Sequence, residues 1–125
     1  MIKIYLAGGM NTTWRERIKH DIRFSDRSVV FLDPCDNDTD IPEEYTTIDI
    51  HLINTCEIIF AYLELDNPSG IGMAAEIGYG IAKNKTVIFV NEQSDNNYFK
   101  FIEVLSTILY KNIEDGIDYL DKLLI

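Results

Sequence analysis

Two carboxylates stand at positions where helical periodicity makes a charged side chain informative. Asp49 falls inside an apolar arc that a helix over residues 42–55 would present to one side. That arc consists of Tyr45, Ile48, Leu52, Ile53 and Cys56. A carboxylate on a buried stripe costs free energy unless it is paired, hydrogen-bonded or open to a cavity. Asp49 is therefore either a residue at the margin of the stripe, bonded to a neighbouring loop, or a carboxylate that does chemistry.

Glu76 is the second candidate, because the sequence predicts that it lies in the first turn of a helix over residues 73–83. The helix macrodipole favours a carboxylate in that turn and keeps it ionised, as a nucleophile or a base requires. Helical phase places Glu76 with Tyr79 and Lys83, opposite an apolar face. An ordinary surface glutamate shows the same pattern, so periodicity leaves both interpretations open.

The elements that must position these carboxylates alternate between strand and helix. Short apolar runs predict strands over residues 2–7, 28–32, 57–63 and 86–90. Helical patterns cover residues 13–23, 42–55, 73–83, 98–109 and 113–124, with room for a short strand before the last of them. Thr13 and Glu16 have the spacing of a capping box at the start of the first helix.

This alternation predicts an α/β, flavodoxin-like (Rossmann-like) three-layer sandwich in one domain over residues 1–125. We expect a mainly parallel sheet of four to five strands in the order 2-1-3-4-5. Ligands of such sheets bind beyond the carboxyl ends of the strands, where the strand order reverses. The loops after Ala7, Leu32 and Leu63 should therefore surround one crevice.

Other motifs are weaker. Residues 70–75 (GIGMAA) match the dinucleotide-binding pattern, but they follow the third predicted strand after a long loop, so NAD is not expected. The acidic residues 33–44 include alternating aspartates like a calcium loop, yet Ile41 stands where that loop needs glycine and Thr47 where it needs glutamate. We read this stretch as a solvated loop. His20 and His51 lack metal-ligand spacing, so neither a metal nor another cofactor is predicted.

Charge excludes two classes of partner. The net charge is −10, and no Lys or Arg occurs between Arg27 and Lys83. Binding to nucleic acid or to an anionic membrane surface requires clustered cations, so neither is expected. Cys35 and Cys56 are read as reduced thiols. No stretch has the length of a membrane span or the pattern of a signal peptide, and we expect a cytoplasmic protein.

Three segments together resemble the nucleoside 2-deoxyribosyltransferase family. They are IYLAGGM at residues 4–10, DIHLINTCEIIFAY at 49–62 and DNPSGIGMAAEIGYGIAKNKTVIFV at 66–90. The most specific part is the G-x-x-x-E-I-G-Y run that contains Glu76. The resemblance implies transfer of 2-deoxyribose between nucleobases, with a nucleoside or nucleotide and a free base as the small-molecule partners.

The resemblance also assigns roles. Glu76 is the implied nucleophile that holds the sugar as a covalent ester, and Asp49 is the implied residue that bonds the base and manages its proton. Tyr5 matches the tyrosine whose hydroxyl would orient Glu76. Gly8 and Gly9 would let the backbone approach the ligand closely.

The group at the 5′ position of the sugar is left open by the sequence. Gly70 stands where some transferases carry an acidic residue for the 5′-hydroxyl, and Ser69 beside it resembles, with Pro68, the Pro-Ser pair that holds phosphate in 2′-deoxynucleoside 5′-phosphate N-hydrolases. Gly72 and Met73 complete the predicted substrate-binding residues. Hydrolysis of a deoxynucleoside monophosphate is thus an alternative activity. A nucleotide-binding module without turnover is a second one.

The resemblance implies a homodimer or a higher homo-oligomer with a shared active site. Residues 91–125 match the family weakly, and Ser106 or Thr107 is the residue that a neighbouring subunit would contribute.

Overall fold

The protein was analysed as a computed structural model that describes all 125 residues. Its centre is a parallel sheet of five strands in the order β2-β1-β3-β4-β5, as predicted. The strands are β1 (Ile2–Gly8), β2 (Val29–Leu32), β3 (Ile58–Leu63), β4 (Thr86–Asn91) and β5 (Ile108–Tyr110). The central strand β3 and its neighbour β4 are almost wholly buried, which explains why they read as continuous apolar runs.

Five helices cover the sheet on both faces. They are α1 (Trp14–Lys19), α2 (Pro42–Thr55), α3 (Ile71–Ala82), α4 (Lys100–Leu105) and α5 (Ile113–Leu123). Short 3-10 turns lie at Ile22–Phe24, Pro34–Asp36 and Asn97–Phe99. The predicted flavodoxin-like, three-layer α/β architecture is therefore confirmed. None of the helices combines the length and the apolar character needed to span a membrane.

Alternate side chains of the strands enter two separate cores. From β1, Ile4 and Leu6 join the core beneath α1 and α5, and Tyr5 and Ala7 join the core beneath α2, α3 and α4. This second face of the sheet carries both carboxylate candidates, Asp49 and Glu76.

Strand β1, which lies between β2 and β3, extends further than β2. Pairing between β1 and β2 ends at Tyr5 and Leu32, whereas pairing between β1 and β3 continues to Gly8 and Tyr62. The last three residues of β1 consequently have a strand partner on one side only.

Two predictions about helices were wrong. The first helix ends at Lys19 instead of residue 23, because Asp21 caps a separate 3-10 turn by accepting a hydrogen bond from the Arg23 N–H. Thr13 is the N-cap of α1, but its side chain makes no capping hydrogen bond. The predicted helix over residues 98–109 is shorter, since Ile108–Tyr110 pairs with β4 as the fifth strand.

Candidate active site

A cavity of about 600 Å³ opens at the carboxyl end of the sheet, beside the point where the strand order reverses. Its wall comes from the loop after β1, the segment after β2, and helices α2 and α3. Five of the residues predicted from the sequence line it together: Gly8, Asp49, Gly72, Met73 and Glu76. The strand ends thus bring residues from distant parts of the chain to one place, as this fold class requires.

Glu76 is joined to Tyr5 at the inner wall of the cavity. The Tyr5 hydroxyl donates a hydrogen bond to the Glu76 carboxylate, and Tyr5 itself is fully buried in β1. Burial raises the pKa of Glu76 from 4.5 to about 7; the nearby Asp49 charge acts in the same direction, whereas the Tyr5 hydrogen bond and the Arg15 charge oppose it. Glu76 is therefore a carboxyl group that changes its charge near neutral pH.

The helix that carries Glu76 begins earlier than predicted. It starts at Ile71, after Gly70 in the left-handed conformation with φ 89°, so Glu76 lies in the second turn instead of the first. The macrodipole argument for an ionised Glu76 was wrong, because that effect is confined to the first turn. Burial is the larger influence, and it favours the neutral form.

Asp49 faces the cavity from α2 and is half-buried. Asn37, in the segment after β2, donates a hydrogen bond from Nδ2 to Asp49 Oδ1 at 2.7 Å. Burial raises the pKa of Asp49, although the Asn37 hydrogen bond and the Arg15 charge lower it. Asp49 is therefore bonded to a neighbouring loop and also opens into the cavity, and its chemical role stays a prediction.

The apolar arc around Asp49 is only partly buried. Ile53 and Cys56 are buried against the sheet, but Tyr45 and Ile48 are each 37% exposed. The amino-terminal half of α2 projects past the sheet, and this projection forms one wall of the cavity.

Arg15 and Asn37 are functional candidates in the cavity that were not among the predicted site residues, although Arg15 is one of the cations of the N-terminal helix that could supply charge to a phosphate. Arg15 is 2% exposed and is the one Lys or Arg in the cavity wall. A signal for it existed, because Arg15 lies in the same helical phase as the apolar Trp14 and Ile18. Asn37 lies in a loop with no periodicity, so no comparable signal existed for it.

Three predicted substrate-binding residues lie outside the main cavity. Gly9 lines a second cavity of about 280 Å³, together with Glu64, Asp66, Glu92 and neighbouring loop residues. Ser69 is exposed, and its hydroxyl accepts a hydrogen bond from the Ile71 N–H at 3.3 Å. Gly70 is buried, and a Cβ there would lie 2.9 Å from the ring of Phe99. Ser69 and Gly70 therefore shape the start of α3.

Gly8 is required by its backbone conformation. Its φ is 151°, and a Cβ at this position would lie 2.5 Å from the Tyr62 carbonyl oxygen. A side chain is therefore excluded where β1 meets the cavity.

The residues considered for a partner subunit make bonds within their own chain. Ser106 donates to the Ile102 carbonyl at 2.7 Å, and Thr107 accepts from the Val87 N–H at 2.9 Å. No three His, Cys, Asp or Glu side chains lie close enough together to form a metal site.

Comparison with known proteins identifies the relationship that this geometry suggests. The sequence model of the nucleoside 2-deoxyribosyltransferase family matches residues 4–112, which include Tyr5, Asp49 and Glu76. The chain belongs to this family. The match to the nucleoside 2-deoxyribosyltransferases spans all five strands and ends just before α5.

Solved structures show the same fold. A 2-desoxiribosyltransferase from Leishmania mexicana is 21% identical and has a TM-score of 0.75, with 100% of both chains covered. A CMP N-glycosidase from Clostridium botulinum is 21% identical, with a TM-score of 0.67 and coverage of 98% of this chain and 99% of the other. A conserved protein from Enterococcus faecalis V583 is 23% identical, with a TM-score of 0.60 and coverage of 99% and 88%. No curated protein matches the sequence closely enough to count as a relative.

Membership in the nucleoside 2-deoxyribosyltransferase family supports an enzyme that transfers deoxyribose or cleaves an N-glycosidic bond. Its substrates are therefore small nucleoside-type molecules.

Proposed function

We propose that this protein transfers 2-deoxyribose between nucleobases through a covalent ester with Glu76. The observation that carries the proposal is that Glu76, which accepts a hydrogen bond from the buried Tyr5, lines the same cavity as Asp49. Two carboxyl groups around one cavity, one of them oriented by a buried hydroxyl, match the needs of glycosidic chemistry with an oxocarbenium-like transition state.

The first step releases a base. An oxygen of the Glu76 carboxylate attacks the anomeric carbon, and the bond from that carbon to the base nitrogen breaks. The electron pair of that bond leaves with the base, and Asp49 supplies the proton that neutralises it. The raised pKa of Asp49 supports this role, because it favours the form that holds a proton.

The second step regenerates the enzyme. A nitrogen of the incoming base attacks the anomeric carbon, its proton passes to Asp49, and the Glu76 carboxylate leaves. Water in place of the second base gives hydrolysis through the same ester.

Tyr5 orients the nucleophile. Its hydroxyl hydrogen bond stabilises the ionised form of Glu76, in opposition to burial. With a pKa of about 7, Glu76 is ionised in roughly half of the molecules at neutral pH, so we expect activity to rise as pH increases through 7.

Hydrolysis of a deoxynucleoside 5′-monophosphate is the second candidate. Pro68 and Ser69 lie just before α3, and a CMP N-glycosidase shares the fold. Against it, the Ser69 hydroxyl bonds the Ile71 N–H, and the adjacent second cavity contains three carboxylates and no cation. These features favour a substrate without a phosphate group.

We also propose that two copies associate through the outer face of α2, α3 and α4. This face leaves large apolar side chains exposed in the single chain: Tyr45, Ile48, Ile71, Phe101 and Val104. Tyr45 belongs both to this face and to the cavity wall, so a second copy seated here would close the cavity. Light scattering after gel filtration tests it: Phe101→Glu should reduce the mass to that of one chain, and Ile22→Glu on the opposite face should leave it unchanged.

Product analysis by chromatography tests the reaction. The protein is incubated with deoxynucleosides and with their 5′-monophosphates, each with and without a second free base, beside Glu76→Ala. A new nucleoside that requires the second base is the expected result. Free base and deoxyribose 5-phosphate, formed without regard to the second base, would instead establish the monophosphate hydrolase. The absence of any Glu76-dependent product would overturn both.

A further inference from the structure

At the carboxyl end of β1, a side chain takes the place of a neighbouring strand as the hydrogen-bond partner of the backbone. Beyond Tyr5, β1 has no partner on the β2 side, which leaves the carbonyls of Leu6 and Gly8 without a ladder. The Arg15 guanidinium donates to both of them, from Nη2 to the Leu6 oxygen at 3.1 Å and to the Gly8 oxygen at 3.0 Å. Its Nη1 donates to the Gly9 carbonyl at 2.6 Å. One side chain therefore holds three carbonyl acceptors, two at the end of β1 and one at the start of the loop that follows.

A second group fixes the position of the guanidinium. Asp33, the first residue after β2, lies 3.4 Å from Arg15 Nε and also accepts a hydrogen bond from Lys19 Nζ at 2.7 Å. Although burial by itself raises the pKa of Asp33, its bonds to Lys19 and the Cys35 N–H and the charge of Arg15 hold it below its usual value. Asp33 is thus ionised, and it compensates the charge of the buried Arg15.

The same guanidinium forms part of the cavity wall. Among the groups of that wall, Asp40, Asp49 and Glu76 are carboxyl groups, and Arg15 is the one cation. The charged and titratable groups that act on Glu76 are Tyr5 from β1, Asp49 from α2 and Arg15 from α1. The charge of Arg15 lowers the pKa of both Asp49 and Glu76.

We propose that Arg15 is a positioning residue for the reaction: it replaces the missing strand beside β1, fixes the Gly8–Gly9 backbone at the cavity, and places a positive charge near the two carboxyl groups. The proposal rests on the function proposed above for Glu76. A purely structural arginine would support the fold without any influence on the titration of Glu76 or on turnover.

Two substitutions separate the charge of Arg15 from its geometry. Arg15→Gln removes the charge, and Arg15→Lys keeps the charge but loses the planar group that reaches three carbonyls. Arg17→Gln is the matched control, because Arg17 lies on the same helix, pairs with Glu114 and is outside the cavity. For each variant, kcat and KM are measured from pH 5 to pH 9 with the substrate that the wild type turns over, and corrected for the folded fraction.

We expect Arg15→Gln to move the acidic limb of the kcat profile up by about 0.5–1 pH unit, since loss of a nearby cation raises the pKa of a carboxyl group. Arg15→Lys should leave the limb in place but lower kcat about five-fold or more, because the loop is no longer held in one position. Arg17→Gln should match the wild type. An unchanged limb in Arg15→Gln, or wild-type kcat in Arg15→Lys, would overturn the proposal.

A readout without turnover separates this proposal from the proposed reaction. The Glu carboxyl carbons are followed by ¹³C NMR during a pH titration, and Glu76 is assigned by its absence in Glu76→Gln. The midpoint of the Glu76 titration should move to higher pH in Arg15→Gln even if none of the substrates reacts. A midpoint equal to that of the wild type contradicts the role of Arg15. If Arg15→Gln does not fold, Arg15→Lys decides alone by its kcat.

Discussion

The two faces of the sheet are built differently. The face covered by α1 and α5 is tied by ion pairs, among them Arg23 to Asp118 at 2.6 Å and Arg27 to Asp121 at 2.6 Å. The face covered by α2, α3 and α4 has no comparable set of pairs; it contains the cavity and leaves apolar side chains exposed. One face is therefore held together within the chain, and the other combines an open site with the exposed apolar surface through which we propose that two copies associate.

Function and stability are in conflict on the face that contains the cavity. Glu76 is buried at a cost, because its pKa is raised mainly by desolvation. The cation–carboxylate pairs of the opposite face lie partly in water and carry no such penalty. Removal of the Glu76 charge should consequently raise stability and lower activity. Removal of an ion pair on the opposite face should lower stability and leave activity unchanged.

The largest difference between the faces is expected from loss of the nucleophile. Glu76→Ala should reduce glycosidic turnover by at least about 1,000-fold, because no other carboxylate is oriented by Tyr5. The equivalent change on the opposite face, Glu114→Ala, removes a surface partner of Arg17 and Arg23 and should retain wild-type turnover. Steady-state kinetics of purified variants measure both, and near-normal turnover in Glu76→Ala would refute the covalent mechanism.

Removal of the proton source should have the next largest effect. Asp49→Asn keeps the shape of the side chain and the contact with Asn37 but cannot supply a proton, so we expect kcat to fall about 100-fold. Bases that leave readily as anions should suffer least. A panel of substrates with leaving bases of different basicity measures this dependence, and a uniform loss across the panel would argue against proton transfer by Asp49.

At Glu76, a substitution that lowers activity should raise the free energy of unfolding. Glu76 has a pKa of about 7 in the folded chain and 4.5 in the unfolded chain, so folded molecules hold a proton that unfolded ones release between these values. The wild type must therefore lose stability as pH rises from about 4.5 to 7. Glu76→Gln has no such loss and still accepts the Tyr5 bond.

We expect Glu76→Gln to be more stable than the wild type by on the order of 1–3 kcal/mol at pH 8, with little difference at pH 4.5. Urea unfolding at the two pH values checks this. If Glu76→Gln and the wild type differ by the same free energy of unfolding at both pH values, the charge of Glu76 is not the source of that difference.

The smallest effect is expected from the ion-paired face. Arg23→Gln breaks the pairs with Asp21, Glu114 and Asp118 and should cost about 1 kcal/mol, because such pairs are screened by water and salt. Urea unfolding with and without 1 M salt measures the change, and turnover should remain that of the wild type. A loss of activity would show that the two faces are coupled through the sheet.

Much of the fold could be predicted, because the local sequence preferences agree with the tertiary structure. The bounds of α2 match the prediction, since Pro42 suits the first position of a helix and the following periodicity is consistent. Residues 108 and 109 were assigned to the end of a helix, with room for a short strand after it, because a three-residue apolar run does not distinguish the two structures by itself. Its pairing with β4 decides the outcome, and that is a tertiary contact.

The site was predictable only in part. The sequence indicated that Asp49 and Glu76 could share a crevice, and both line the same cavity. It did not indicate that burial raises the pKa of Glu76 to about 7, or that Arg15 completes the end of β1, because both depend on what surrounds a side chain in space. The roles of these residues in the reaction remain predictions.

The two cysteines give this protein a reporter position that needs no engineering. Cys35 is exposed and lines the main cavity, whereas Cys56 is buried at the end of α2. Burial raises the pKa of the Cys35 thiol, so the fraction of reactive thiolate, and with it the rate of alkylation, increases as the pH is raised. A fluorophore attached there would stand at the cavity wall, and its emission would report occupancy by a small molecule before any product is formed.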